Sequence, residues 1–307
     1  MKPTVTASGA ALGARIDHID LSKPISDADF ECIEDAFHEH SVICISGRPY
    51  DDESLTRFGK RFGELEINVA KSFHHKLFPQ VTVLSNLVVD GKPLGSPDAG
   101  QSWHTDMSYN RVAGRCTILH AHQVPMRGGV PLGDTAFRNM VKAYEALPQA
   151  MRNRLDTLEA VHEFEKNWNG MIAKGSKRPA FSDAQRAEKP PVVHPVVLVH
   201  PWTGRKALYV NRGLTQNIIG LPKGESDELL EFLFGHAEKP EFAYAHRWRV
   251  GDTLVWDNCA SIHMATGGYD SSTPRLMHRV QVLGNEDLYR QKNRELGLRL
   301  HAPGLRA

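Results

Sequence analysis

The spacing of apolar residues changes several times along the chain, and each change marks an element. Phe30, Ile33 and Phe37 keep helical spacing after Ser26-Asp27-Ala28-Asp29, which predicts a helix to about His40. Residues 41–45 are a short apolar run, expected as a buried strand. Asp51 opens a second helix with Leu55, Phe58 and Phe62 on one side, ended by Gly63. Before these, residues 10–22 alternate in part and read as an edge strand. Strands are further expected at 81–85, 116–124, 193–199, 207–210, 244–250, 253–256 and 276–283. Residues 140–161 have a helical period broken near Pro148, so two helices are expected, and residues 225–237 form another. The 66–80 segment has no period and reads as a loop, and Asp90-Gly91 is a hairpin-type turn. The polar, basic stretch 165–192 carries prolines and glycines, so it is expected as a loop acting as a lid. Residues 286–307 form a charged, helical tail.

Short strands outnumber helices and recur around tight turns. That pattern predicts a mainly β fold with flanking helices, an antiparallel sandwich or barrel. The 307 residues are read as one domain, 41% hydrophobic and 24% charged. A net charge of +1 gives no reason to expect a nucleic-acid or membrane partner. Four scattered cysteines (Cys32, Cys44, Cys116 and Cys259) form no Cys-x-x-Cys pair. They fit a cytoplasmic protein better than a disulfide scaffold or zinc ribbon.

The chemistry concentrates around Trp103-His104-Thr105-Asp106. On a strand, His104 and Asp106 would point to one face. An imidazole and a carboxylate, joined by a further histidine, are the ligand set of a non-haem Fe(II) oxygenase. His18-Ile19-Asp20 matches the same short pattern and is read as ordinary strand, so the pair alone is weak. The third ligand is expected at His263, after Val255-Trp256-Asp257-Asn258. Arg275 and Arg279 follow, four apart, and would share a strand face. Arginine offers a planar fork to the distal carboxylate of a 2-oxo diacid. Thr135, in Gly133-Asp134-Thr135, is expected as a second donor. His120 and His122 share a strand face like a metal pair, but with no third partner evident they read as structural, as do His74, His75, His194 and His200. Trp256 is expected as packing beneath the site.

Together these motifs resemble the taurine and dichlorophenoxyacetate (TauD/TfdA) dioxygenases over roughly residues 10–285. The resemblance implies a double-stranded β-helix (jelly roll, cupin-like) and an Fe(II)-, 2-oxoglutarate- and O2-dependent reaction. That reaction hydroxylates a substrate C–H bond and releases succinate and CO2. It implies that His104, Asp106 and His263 ligate iron, that Thr135 and Arg275 hold 2-oxoglutarate, and that Arg279 meets an anionic group on the substrate. Asp106 is not the small residue of the halogenase branch. Asn68 and Lys71 stand where taurine-specific members carry a histidine and a tyrosine. Met107, Asn167, Trp168 and Leu214 fall where the family lines its substrate pocket. These residues imply a small anionic organic acid with an apolar or aromatic body, as an aryloxy or alkyl carboxylate or a sulfonate. The stretches 85–92 and 242–248 resemble the phenoxyacetate side. A homo-oligomer, dimer or tetramer, is expected. Biosynthetic desaturation or epoxidation uses the same ligands. Zinc hydrolysis and a non-catalytic binding barrel are the competing readings outside the family.

Overall fold

A computed structural model of the chain describes residues 2–67, 75, 77–96, 100–176 and 179–295. Asn68, Lys71 and His74 lie outside the described residues, as does the tail beyond 295.

Among the described residues the largest sheet has seven strands. In spatial order they are Thr4–Ala7, Ala14–Asp17, Val42–Ile45, Thr253–Asp257, Cys116–Gln123, Leu276–Val282 and Thr82–Ser85. All neighbours are antiparallel except Ala14–Asp17 with Val42–Ile45. Parallel neighbours need a crossover, and the helix Asp27–His40 supplies it. The Ser26 side chain accepts from the Asp29 N–H at 3.1 Å, and Asp51 caps the second helix, Asp52–Phe62, in the same way at 2.9 Å. These are the helix starts that the sequence predicts.

Val42-Ile43-Cys44-Ile45 shows why the central strands read as unbroken apolar runs. Ile43 and Ile45 face outward, onto Phe30, Ile33, Phe37, Leu55, Phe58 and Phe62 of the two helices. Val42 and Cys44 face inward, onto Leu119, Leu254, Trp256, Phe137 and Trp248. Burial on both faces removes the polar half of the alternation. The inward side is closed by a second layer. Its middle strand, Thr135–Asn139, pairs antiparallel with Ala243–His246 and with Ser261–Ala265. Further short strands extend this layer: Glu159–His162 lies between Val192–Pro195 and Thr215–Ile218, and Val197–Val199 pairs with Lys206–Leu208. The helices Met140–Glu145 and Lys223–Ala237 back it with Tyr144, Leu229, Leu233 and Phe234. The result is the jelly roll.

Several expected elements differ. The 10–22 strand is only Ala14–Asp17, and Thr4–Ala7 takes the sheet edge instead. The second helix of the 140–161 region ends at Leu155, and Glu159–His162 is a strand. The 165–192 loop is largely helical, as Phe164–Ala173 and Asp183–Glu188. Ser182 caps the latter in a reciprocal capping box with Gln185, a local signal that the proline and glycine content obscures. The 193–199 strand is interrupted at Val196, and the 244–250 strand stops at His246.

Gly251 turns the chain into the Thr253–Asp257 strand at φ +89°, and its N–H donates to the Ala121 carbonyl. A Cβ there would lie 2.2 Å from the Gly47 carbonyl oxygen. Gly251→Ala therefore combines a left-handed backbone with a backbone clash. It is expected to cost about 1–3 kcal/mol, read as a lower denaturation midpoint at unchanged slope.

Candidate metal centre

His104 and His263 are brought together by backbone. Each N–H donates to the other's carbonyl, at 3.1 and 2.8 Å, as an isolated antiparallel bridge. Their rings then lie side by side, with centroids 4.2 Å apart. His263 belongs to the strand Ser261–Ala265, opposite Phe137. The expected strand through His104 and Asp106 does not form. After the single bridged residue the chain turns, and Met107 takes φ +59°. Asp106 faces both histidines just before that turn. Thr105 Oγ1 anchors the segment by donating to the Asn258 carbonyl at 2.7 Å. Gly213 lets a second chain pass close by, since a Cβ there would meet the His104 Cβ and the Trp103 carbonyl at 3.1 Å.

Three donor atoms face a common space. Asp106 Oδ1 is 3.6 Å from His104 Nε2, and Asp106 Oδ2 is 3.7 Å from His263 Nε2. These separations are too long for hydrogen bonds and short enough for the atoms to share one ion. His104 Nδ1 donates to the Ser102 carbonyl at 2.7 Å, which leaves the Nε2 lone pair free. Burial, with the neighbouring His104, pushes His263 down to about 3, so its imidazole is neutral. Burial alone would raise the Asp106 carboxyl, but the charged surroundings, with the Arg279 guanidinium facing it, outweigh burial and hold the group below the usual carboxylate range. Thr117 Oγ1 donates to Asp106 Oδ2 at 2.7 Å, and Asn258 Nδ2 donates to Thr117 Oγ1 at 3.2 Å. The sequence reading missed this pair. The signal for Thr117 was a hydroxyl within the apolar start of its strand, Cys116 to Leu119.

The same cavity is lined by Leu84, Leu119, Thr135, Trp256, Arg275 and Arg279, together with both histidines. Thr135 Oγ1 accepts from the Trp248 indole N–H at 3.0 Å, so its own O–H remains to donate. Arg275 is 6% exposed, and its guanidinium lies over the Tyr269 ring at 5.4 Å. No carboxylate among the described residues lies within salt-bridge distance of it, and its Nε has no partner. Arg279 Nη1 approaches Asp106 Oδ1 at 3.6 Å. Trp256 stands 4.7 Å from the His263 ring, as packing beneath the site.

The expected substrate residues sit further out. Met107 and Leu214 pack with Tyr109, Phe164 and Leu283 in a separate apolar cluster. Trp168 donates its indole N–H to the Pro179 carbonyl and packs on Phe181. None of the three lines the cavity beside Arg275. Asn167 comes near through Ser102, whose hydroxyl donates to its side-chain oxygen at 3.4 Å. A larger surface cleft, about 560 Å3, opens between Asp20, Lys23, Arg48 and Tyr50. It shares no residue with this cavity.

A buried set of two imidazoles and a carboxylate, with cationic forks beside it on a jelly roll, defines a non-haem iron oxygenase site. A family profile described as "Taurine catabolism dioxygenase TauD, TfdA family" matches residues 4–281, and the chain belongs to that family. It is a 2-oxoglutarate-dependent non-haem iron dioxygenase that uses Fe(II), 2-oxoglutarate and O2. This sets aside the zinc-hydrolase and binding-barrel readings. The alpha-ketoglutarate-dependent 2,4-dichlorophenoxyacetate dioxygenase of Cupriavidus pinatubonensis is 34% identical over 281 residues, covering 88% of this chain and 94% of that protein. Pentalenolactone F synthase of Streptomyces arenae is 31% identical, covering 89% and 92%. The solved structure of AAD-2 in complex with Mn(II) and N-oxalylglycine superposes with a TM-score of 0.76 at 26% identity, covering 93% of this chain and 99% of that one.

Thr117→Val keeps the shape of the side chain but removes the hydrogen bond that orients Asp106. Fe(II) affinity is expected to fall about 10–100-fold, the usual cost of losing a ligand's outer partner. Anaerobic metal titration, with circular dichroism to verify the fold, measures it.

Proposed function

We propose that His104, Asp106 and His263 hold Fe(II), that Arg275 and Thr135 hold the distal carboxylate of 2-oxoglutarate, and that the enzyme hydroxylates a small anionic organic acid. The observation that carries this reading is the buried Arg275 without a carboxylate. A dry guanidinium left unpaired is costly, and a buried cation is normally matched by an anion. Arg275 lines the same cavity as His104 and His263, the two imidazole donors. Thr135 adds a hydroxyl whose proton is not committed elsewhere. A diacid with one end at the donors and the other at Arg275 meets both requirements.

When bound, the iron and its 2-oxo acid supply the oxygen-activating chemistry that yields succinate, CO2 and a hydroxylated product. The protein's residues supply position and exclusion. The Ser102 carbonyl and Thr117 fix the His104 tautomer and the Asp106 rotamer. Leu84, Leu119 and Trp256 wall the cavity against water. Arg279, beside Asp106 and facing the same cavity, is positioned to attract the substrate's anionic head.

The dichlorophenoxyacetate relative supports an aryloxy or alkyl carboxylate as substrate. A relative named sulfate ester dioxygenase, 32% identical over 279 residues, keeps sulfur oxyanions in view. The pentalenolactone F synthase relative favours a second reading, oxidation within a biosynthetic route. Near-neutral net charge and four unbridged cysteines support a cytoplasmic enzyme without nucleic-acid or membrane partners. Among the described residues no helix is long and apolar enough to cross a membrane.

Fe(II)-dependent succinate release should be stimulated by one class in a panel of aryloxy carboxylates, alkyl carboxylates and alkyl sulfonates or sulfates. Stimulation by none of them would move the substrate to the biosynthetic reading. Arg275→Gln should weaken 2-oxoglutarate binding by about 2–5 kcal/mol, the cost of truncating a buried charge pair, with Fe(II) binding retained. Unchanged 2-oxoglutarate affinity would overturn the assignment of Arg275.

A further inference from the structure

The strand that carries Arg279 toward the cavity carries His278 on its opposite face. In the sheet His278 pairs directly with His120. His122, two residues along the same strand as His120, shares that face, opposite an irregularity between Leu276 and Met277. The three rings form a row, with centroids 4.8 Å apart for His120 and His122 and 4.2 Å for His122 and His278. Asp52, in the first turn of the helix over this face, reaches into the row. Its Oδ1 is 2.5 Å from His278 Nδ1, and its Oδ2 is 3.7 Å from His75 Nδ1. Donor atoms of Asp52, His122 and His278 all lie within 4.8 Å of one another.

Hydrogen-bond accounting separates this cluster from two others. In the Cys44, His246 and Asp252 group, His246 Nε2 faces Asp252 at 3.1 Å and Nδ1 faces the Tyr244 hydroxyl at 3.3 Å. In the His200, Asp257 and Cys259 group, His200 Nε2 is 2.7 Å from Asp257, and Nδ1 accepts from the backbone N–H groups of Trp202 and Thr203. Both imidazoles are satisfied within the protein. His120 is satisfied too, between Thr253 Oγ1 and the Tyr50 N–H. His122 Nε2 and His75 Nδ1 are not, because both atoms are buried and neither has a hydrogen-bond partner. Two unsatisfied imidazole nitrogens beside one carboxylate need an explanation. An ion pair between Asp52 and His278 explains only the carboxylate.

We infer that Asp52, His122 and His278 form a second metal site for a zinc-class divalent ion, separate from the iron site, and that His75, whose Nδ1 lies 3.7 Å from Asp52, is drawn in as the fourth donor when the ion binds. With His75 drawn in, three imidazoles and one carboxylate make a closed tetrahedral set, with no position left for substrate. Tetrahedral ligands sit about 3.3 Å apart at ordinary zinc–ligand lengths, so the Asp52–His278 contact would open by less than an ångström. The ion would pin the N-terminus of the Asp52–Phe62 helix and the His75 backbone to the sheet face behind Arg279.

The test is metal stoichiometry on the full chain, stripped by chelator and titrated with Zn(II), then with Co(II). Wild type should bind two equivalents, His104→Ala/Asp106→Ala one, and His122→Ala one. The equivalent kept by His104→Ala/Asp106→Ala should raise Tm on loading and give tetrahedral Co(II) d–d absorption without a thiolate band. The missing thiolate band excludes the Cys44 and Cys259 groups. Circular dichroism keeps misfolding apart from ligand loss, and Asp52→Asn is the milder second variant. The inference fails if wild type binds a single equivalent that His104→Ala/Asp106→Ala abolishes. It also fails if the second equivalent survives in both His122→Ala and Asp52→Asn. Neither outcome touches the iron assignment, because that site is read in wild type by the equivalent that His104→Ala/Asp106→Ala removes.

Discussion

Two hydrogen bonds between the backbones of His104 and His263 join segments that are distant in the chain, and the rest of the site depends on them. They set two imidazoles side by side without using either ring nitrogen. His104 Nδ1 is then committed to the Ser102 carbonyl, and its Nε2 faces the carboxylate. Asp106, two residues on, completes the set, and the chain turns away at Met107 directly after it. The bridge in turn relies on the Ser261–Ala265 strand, held by Thr135–Asn139, which also delivers Thr135 to the same cavity. One short ladder thus places an imidazole and the hydroxyl opposite the co-substrate.

Charge governs the remainder of the cavity. Asp106 is buried and ionised, and Arg279 approaches it at 3.6 Å. Arg275 is equally dry and has no such neighbour, so the cavity carries an uncompensated cation in one wall. Removing the partner of a buried charge typically costs about 3–5 kcal/mol. On the assignment proposed for Arg275, that penalty is relieved when the distal carboxylate of 2-oxoglutarate meets the fork.

The site was legible because its chemistry lies in side chains whose identity is rare in combination: His104, Asp106, His263, Arg275 and Arg279. The geometry that unites them was not. A period-two argument put His104 and Asp106 on one side, where they do lie, but the strand it assumed is a single bridged residue followed by a turn. Central strands such as Val42–Ile45 were clear from their apolar runs. Thr135–Asn139 and Ser261–Ala265 were hidden because mixed polar residues are tolerated where a strand lines a polar site. The 165–192 segment misled for a related reason. Its composition resembles a loop, while its capping box and the packing of Trp168 on Phe164 and Phe181 make it helical. Composition averages over a segment, and caps act at single residues.

His120 and His122 show the limit of reading ligands along one strand. Their spacing suggested a pair, and the absence of a nearby third donor argued against it. The groups that meet His122 come from a strand paired across the sheet, His278, and from a helix end above it, Asp52, neither close in sequence. Strand alternation also explains how two charged environments coexist within a few ångströms. Arg279 and His278 are consecutive, so one enters the inner cavity while the other enters the helix-covered outer face. The two faces thus share one strand, paired on both sides at these residues, without contact between their side chains.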